Sequence, residues 1–365
     1  MPYLLQMLAV DVWRHVVEFT HCCENCCLRL VSRMFRSVLT AVCCIHKPGE
    51  QPVRSCYTNL FVHCSLSADQ VSTWIGHTRK TVIFQPHGTS DTLLMHHVRL
   101  ALEKCDVVVR VRDTVVKPTP RNSAKTNRSP RGNVFFCCVE NGVLTATFMD
   151  EVRSLLRESN LYCCTIQLSR CHVEPFGYFR SGWYDSFFLD ASRYQVTLEH
   201  LTGSTVYMCL QCLLHGIKAS NLSLFRVHIC QQLTARDLIG CITQVVYFLQ
   251  YCSARTVVLS FDGLHFESQQ VGWEIEGLAM TVRQLMCLRQ MSVTVKFQFQ
   301  SSVCHRLVHL LRPQSASCSF SVTVLKTQIV MQSDNNEKNM QPSEQAKRTH
   351  LSTLDVVQTN RCDAY

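Results

Sequence analysis

Cysteine and histidine are the residues of this chain best suited to chemistry. The 365-residue sequence holds 23 cysteines and 16 histidines. Cys22, Cys23, Cys26 and Cys27 form a C-x-x-C step, and Cys43, Cys44 and His46 follow further along. Folding that stretch back on itself would bring Cys22, Cys26, Cys43 and His46 toward tetrahedral zinc geometry. The spacing matches no standard zinc-finger template, so structural thiols are the stronger reading. Cysteine doublets such as Cys137-Cys138 and Cys163-Cys164 recur along the chain, and the cysteine count is odd. Neither property suits a simple disulfide framework. Residues 1–10 lack a basic region ahead of their short apolar stretch, so no signal peptide is expected. Cysteine then acts as a small hydrophobe in a reducing compartment, cytoplasmic and/or nuclear.

Two further constellations hold residue types suited to chemistry. His87-Gly88-Thr89-Ser90-Asp91 puts the residue types of a nucleophilic site side by side. Sequence neighbours in a loop seldom form a triad, and no elbow motif surrounds Ser90. A polar turn before a helix, with Asp91 as N-cap, is the stronger reading. Residues 117–132 carry Lys117, Arg121, Lys125, Arg128 and Arg131, with no acid between Thr114 and Val139. Such a cluster can release counterions from phosphates, which keeps a nucleic-acid partner open. It lacks aromatic residues for stacking bases. Ser129-Pro130 within it is a minimal phosphorylation signal. No glycine-rich loop follows any predicted strand, so neither a dinucleotide fingerprint nor a phosphate loop is present. No catalytic residue and no cofactor is expected.

Composition bounds the elements that must position these groups. The chain is 47% hydrophobic and 17% charged, with a formal charge of +9. That much apolar material excludes global disorder. With 13 glycines and 10 prolines, it lacks the turn residues of a sandwich or barrel. No run of about 18 uncharged apolar residues occurs, so no membrane-spanning helix is expected.

From about residue 75, short β-branched segments alternate with amphipathic helical ones. Strands are predicted at 81–84, 107–111, 143–148, 165–168, 195–198, 222–227, 256–261, 292–297 and 319–325. Helices are predicted at 92–103, 150–158, 205–215, 234–252, 273–288 and 301–311. This alternation predicts parallel strands on one side and helices on the other. From Thr165 the strand starts recur every 27 to 36 residues or so, the rhythm of a solenoid whose units lean on their neighbours. Within Cys164-Thr165-Ile166-Gln167-Leu168-Ser169-Arg170-Cys171-His172-Val173 a Leu-x-x-Cys step places a thiol after the strand. Thr256 to Phe266 forms a looser copy. The unit resembles the longer, helix-containing leucine-rich repeats, and that resemblance implies a small thiol tucked into the turn.

The N-terminus has a different pattern. Leu8, Val12, Val16 and Phe19 fall on one helical stripe, and Leu28, Val31, Phe35 and Val38 on a second. Polar residues between Thr20 and Asn25 supply a turn. Two such short helices need each other and a further partner surface. The run Glu24-Asn25-Cys26-Cys27-Leu28-Arg29-Leu30-Val31-Ser32-Arg33-Met34-Phe35-Arg36 preserves, in order, the second half of a known pattern. Residues 8–36 resemble an F-box, the helical module that docks onto a Skp-type adaptor and through it a cullin scaffold. Ala9 stands where the family has proline, and Thr20 and Asn25 where it has apolar residues. The resemblance implies that Leu8, Val12, Val16, Val17, Phe19, Leu28, Val31 and Phe35 build the adaptor-binding stripe.

The expected fold class is therefore α/β: an N-terminal helical F-box-like hairpin, then a leucine-rich-repeat-like solenoid of parallel strands and helices. The expected divisions are 1–47 for the hairpin, 48–74 for a connector, 75–332 for the repeats and 333–365 for a disordered tail, with a disordered basic insertion at 117–132. The resemblances imply a substrate receptor of an SCF-type ubiquitin ligase that holds a protein on its repeat surface. A repeat scaffold or an RNA-associated regulatory protein is the other reading.

Overall fold

The structure is a computed structural model and describes residues 42–52, 57–86, 92–113, 115–117, 132–173, 185–265, 271–286, 288, 292–298, 304–311, 320–325 and 328–334. The chain divides into two compact units, one ending at Gly142 and one beginning at Val143. The eight predicted adaptor-binding positions and the hairpin that carries them lie outside the described residues. So do residues 118–131 of the basic insertion and everything beyond residue 334.

The first unit runs β1 (Val42–Ile45), β2 (Tyr57–Val62), α1 (Ala68–Gly76), β3 (Thr78–Phe84), β4 (Thr92–Leu94), α2 (Met95–Leu102), β5 (Asp106–Arg112), β6 (Val115–Lys117) and β7 (Asn133–Glu140). Its main strands pair in parallel in the order β1-β2-β3-β5-β7, and β4 pairs with β6 in a minor parallel ladder. The second unit runs β8 (Val143–Leu144), α3 (Ala146–Glu158), β9 (Leu161–Ser169), β10 (His172–Val173), β11 (Phe187–Phe188), β12 (Ala191–Glu199), α4 (Gly203–Leu214), β13 (Ile217–Thr234), α5 (Ala235–Gln250), β14 (Cys252–His265), α6 (Val271–Met286), β15 (Ser292–Gln298), α7 (Cys304–Leu311), β16 (Phe320–Leu325) and β17 (Gln328–Asp334). Here β9, β12, β13, β14 and β15 pair in parallel in chain order. The hairpin of β16 and β17 closes the edge, with β17 antiparallel to β15. Among the described residues the chain is thus a mixed α/β protein with seven helices, as the alternation predicts.

Strands β5, β7, β12 and β13 are buried mainly on one face, whereas β2 is buried at consecutive residues from Asn59 to Val62 and β3 from Val82 to Phe84. In β12 every second residue from Tyr194 to Leu198 is buried, while Gln195, Thr197 and Glu199 remain partly open. β7 alternates in the same way along its whole length. A doubly wound sheet, covered on both faces, would show unbroken apolar runs instead. The inward residues of the second unit stack in rows across the strands. One row is Cys164, Tyr194, Phe225, Val257 and Val293, and the next is Ile166, Val196, Val227, Leu259 and Val295. Against them pack the helices, each beside the next from α3 to α7. Within the second unit each helix therefore buries part of its apolar stripe against the next.

The connections repeat as well. Asp113, Asn141, Arg170 and His200 each follow the end of a strand, and each adopts a left-handed backbone with φ of 51° or 52°. Ser or Thr caps four of the helices: Ser67, Thr145, Thr202 and Thr234 each accept a bond from the backbone N–H three residues on. After Arg170, the Cys171 thiol is buried and donates to the Ser169 carbonyl at 3.4 Å, so a thiol does tuck into this turn. Gly216, at φ 71°, ends α4 and leads into β13. A Cβ added there would lie 3.3 Å from the Asp185 carbonyl oxygen. Gly216→Ala is expected to cost about 1–2 kcal/mol, because left-handed backbone penalises a side chain. A lowered urea midpoint, with an unchanged circular dichroism spectrum, checks this.

The structure corrects several boundaries. The segment predicted as a strand at 143–148 is a strand only at Val143–Leu144, because Thr145 caps a helix that starts at Ala146. The helix predicted from residue 92 starts at Met95, since Thr92–Leu94 pairs with β6. Asp91 therefore does not adjoin a helix start, and it lies outside the described residues. β7 is not expected from sequence, nor are β2 within 48–74 and α1, which begins there and ends at Gly76. The strand–helix rhythm already runs through that stretch, and β1 falls inside the range assigned to the hairpin. Among the described residues no helix is long and apolar enough to cross a membrane.

Candidate functional site

The open face of the second unit's sheet is built by the residues that alternate with its buried rows. Strand register sets them in rows of their own: Thr165, Gln195, Arg226, Val258 and Thr294, then Gln167, Thr197, His228, Ser260 and Lys296. Parallel strands lie about 4.8 Å apart, so each row is a ladder of closely spaced side chains on a rigid backbone. Arg193, Arg226 and Lys296 are exposed. The Arg193 guanidinium lies over the Tyr162 ring, 5.6 Å from its centroid. Gln167 Nε2 donates to Glu199 Oε1 at 3.4 Å, linking adjacent strands.

At one end of this face the residue types change. His228 and Cys230 stand two apart on β13, which puts both on the same side of the strand. Asp262 reaches them from β14. His228 Nε2 lies 3.1 Å from Asp262 Oδ1, and the Cys230 sulfur lies 3.3 and 3.4 Å from Nδ1 and Nε2 of His228. The Cys230 thiol also donates to Glu199 Oε1 at 3.6 Å. Burial first, then the charges of Asp262 and Glu199, push its pKa up to about 12. A thiol held in that state is a proton donor, not a thiolate nucleophile at neutral pH. Cys230, His228 and Asp262 thus lie side by side without forming an activated nucleophile.

The first unit brings together Cys44, His46 and His63, whose ligating atoms lie within 4.8 Å of one another. The imidazoles of His46 and His63 stack with centroids 4.8 Å apart and planes inclined by 5°. Of the zinc set considered from sequence, His46 falls in this cluster. Cys43 and Cys44 project from opposite faces of β1, and it is Cys44 that shares a cluster with His46. Cys22 and Cys26 lie outside the described residues.

Several of the other described thiols pack inside, while Cys64, Cys138 and Cys163 are half-buried. No disulfide occurs among the described residues. Cys105, Cys209, Cys241 and Cys252 are buried, and burial pushes their thiols up to about 11 or 12. They are inert packing groups. The segment His87 to Asp91 and Ser129 lie outside the described residues.

Sequence reasoning passed over the His228–Cys230–Asp262 cluster. Its only local trace is His-x-Cys on a strand, and the third member comes from the following repeat. Strands that follow the chain order in a large, mostly parallel sheet, with helices between them, make the described residues a mixed α/β protein. Compared with known proteins, the chain matches no family model and no curated protein sequence.

Proposed function

We propose that this protein is a non-catalytic substrate receptor of an SCF-type ubiquitin ligase. Residues 8–36 would dock on a Skp-type adaptor, and through it on a cullin scaffold. The open face of the second unit would hold a target protein. The observation that carries the binding role is the one-sided sheet, which presents rows of polar and basic side chains with no covering layer among the described residues of that unit. Such a face is a preformed surface, so little ordering entropy is lost on binding. The leucine-rich-repeat-like reading finds support in the in-order parallel strands and in the Cys171 turn. The adaptor role rests on the F-box-like residues alone.

Affinity purification of the full chain tests both halves. A Skp-type adaptor should be recovered, and Leu28→Asp with Phe35→Asp should abolish recovery by placing charge in an apolar contact. Arg193→Glu with Arg226→Glu should leave adaptor recovery intact and weaken target binding at least about tenfold. Failure of the unaltered chain to retain any Skp-type adaptor would remove the ligase assignment.

The second reading is an RNA-associated scaffold. Arg193 over Tyr162, with Arg226 and Lys296 on the same sheet, favours it. Salt separates the two: phosphate contacts weaken steeply as salt rises, whereas an apolar adaptor interface barely changes.

A further inference from the structure

We propose that His228, Cys230 and Asp262 form a binding site for a zinc-type divalent metal ion on the open face of the second unit. The argument is geometric first. A tetrahedral zinc ion with Zn–N near 2.0–2.1 Å and Zn–S near 2.3 Å sets ligand atoms roughly 3.3–3.6 Å apart. The observed edges are 3.1 Å between His228 Nε2 and Asp262 Oδ1 and 3.4 Å between His228 Nε2 and the Cys230 sulfur. All three ligating atoms fall within 4.8 Å of one another. Small side-chain rotations therefore suffice to place an ion among them.

The donor chemistry agrees. One sulfur, one imidazole nitrogen and one carboxylate oxygen make a mixed soft and borderline set, which selects zinc over magnesium or calcium. Their strands, β13 and β14, pair in parallel through His228–Ser260 and Ile229–Phe261, and a register shift follows at Cys230 before pairing resumes at Gln232–Gly263, so all three ligands sit on paired strands. Glu199 stands beyond the sulfur, its Oε1 3.6 Å away. Gln167 donates to that same oxygen. Glu199 is thereby placed as a fourth ligand or as the outer partner that orients Cys230. The bookkeeping of protons is simple: the metal replaces the thiol proton, which leaves to solvent, while imidazole binds neutral and Asp262 binds ionised. The side chains of His228 and Asp262 are 37% and 43% exposed, so an ion can enter from solvent.

The test uses the full chain, stripped with a chelator and titrated with zinc chloride, then with cobalt(II) as a spectroscopic substitute. Expected are a saturating zinc isotherm and cobalt d–d bands of tetrahedral type with a thiolate-to-cobalt charge-transfer band. Cys230→Ser should remove the charge-transfer band belonging to this site. His228→Ala and Asp262→Asn should each weaken zinc binding here by about 100-fold or more. Cys44→Ser with His63→Ala should leave both readouts of this site in place. Thermal melts and circular dichroism check each variant, and the near-isosteric Asp262→Asn serves if His228→Ala fails to fold. The proposal falls if zinc affinity and the cobalt spectrum are the same in the unaltered chain, Cys230→Ser and Asp262→Asn. It falls equally if the unaltered chain takes up no metal.

Discussion

Phe225→Ala is expected to destabilise the second unit by about 3–5 kcal/mol, the range for removing a buried aromatic ring. Phe225 is fully buried. Its ring centroid lies 4.6 Å from that of Phe248 on α5 and 6.0 Å from that of Tyr194 on the next strand. Phe225 therefore joins sheet to helix and one repeat to its neighbour. Close packing leaves no atoms ready to refill the space, so the lost transfer energy and the cavity add. Neighbouring strands and helices of the second unit pack against one another. The loss should spread to β12 and β14 instead of staying local. Val258→Ala, on the open face of β14, is the matched control and should change stability by no more than about 0.5 kcal/mol. Denaturant unfolding followed by circular dichroism compares the two. Equal midpoints for both variants would contradict the one-sided core.

Arg153→Met is the second large effect, expected at about 3–5 kcal/mol. Arg153 sits inside on α3 and is only 6% exposed. Its Nη1 donates to the carbonyls of Cys212 and His215 at 2.8 and 2.7 Å. Those carbonyls belong to the last turn and cap of α4, where helical partners run out and the helix dipole is negative. The guanidinium also lies 5.3 Å from the Phe187 ring centroid. Methionine keeps much of the volume but leaves the carbonyls without their charged donor. Each charge-assisted bond is worth about 1.5–3 kcal/mol. Burial lowers the Arg153 pKa, yet a guanidinium stays charged across the accessible range, so the bonds should persist from neutral to mildly alkaline pH. Lysine should recover only part of the loss, since its compact ammonium is more strongly hydrated than a guanidinium and gives up more on burial. Amide hydrogen exchange along α4 should accelerate in Arg153→Met, and an unchanged exchange pattern would refute this capping role.

Both effects sit in a framework that was partly readable in advance. The strands predicted at 107–111, 165–168, 195–198, 256–261 and 292–297 all fall inside observed strands. So does the division into a strand side and a helix side. Those predictions rest on the spacing of apolar residues along a few turns or pleats, and that spacing belongs to the local chain. β7 was missed because Phe135-Phe136-Cys137-Cys138 shows no alternation by residue type. Only position decides that Phe135 and Cys137 face the core while Phe136 and Cys138 do not.

What the sequence determined by itself is the class of local structure: helices where apolar residues recur at helical spacing, strands where β-branched residues cluster, and thiols that pack as small hydrophobes. Tertiary structure alone decided which residues meet. Asp262 reaches His228 and Cys230 because β14 pairs beside β13 and Asp262 falls at the register shift between Ile229 and Gln232. Arg153 reaches the end of α4 because neighbouring helices pack side by side. Contacts between residues tens of positions apart depend on which strands pair and which helices pack, and a local stretch of sequence carries neither.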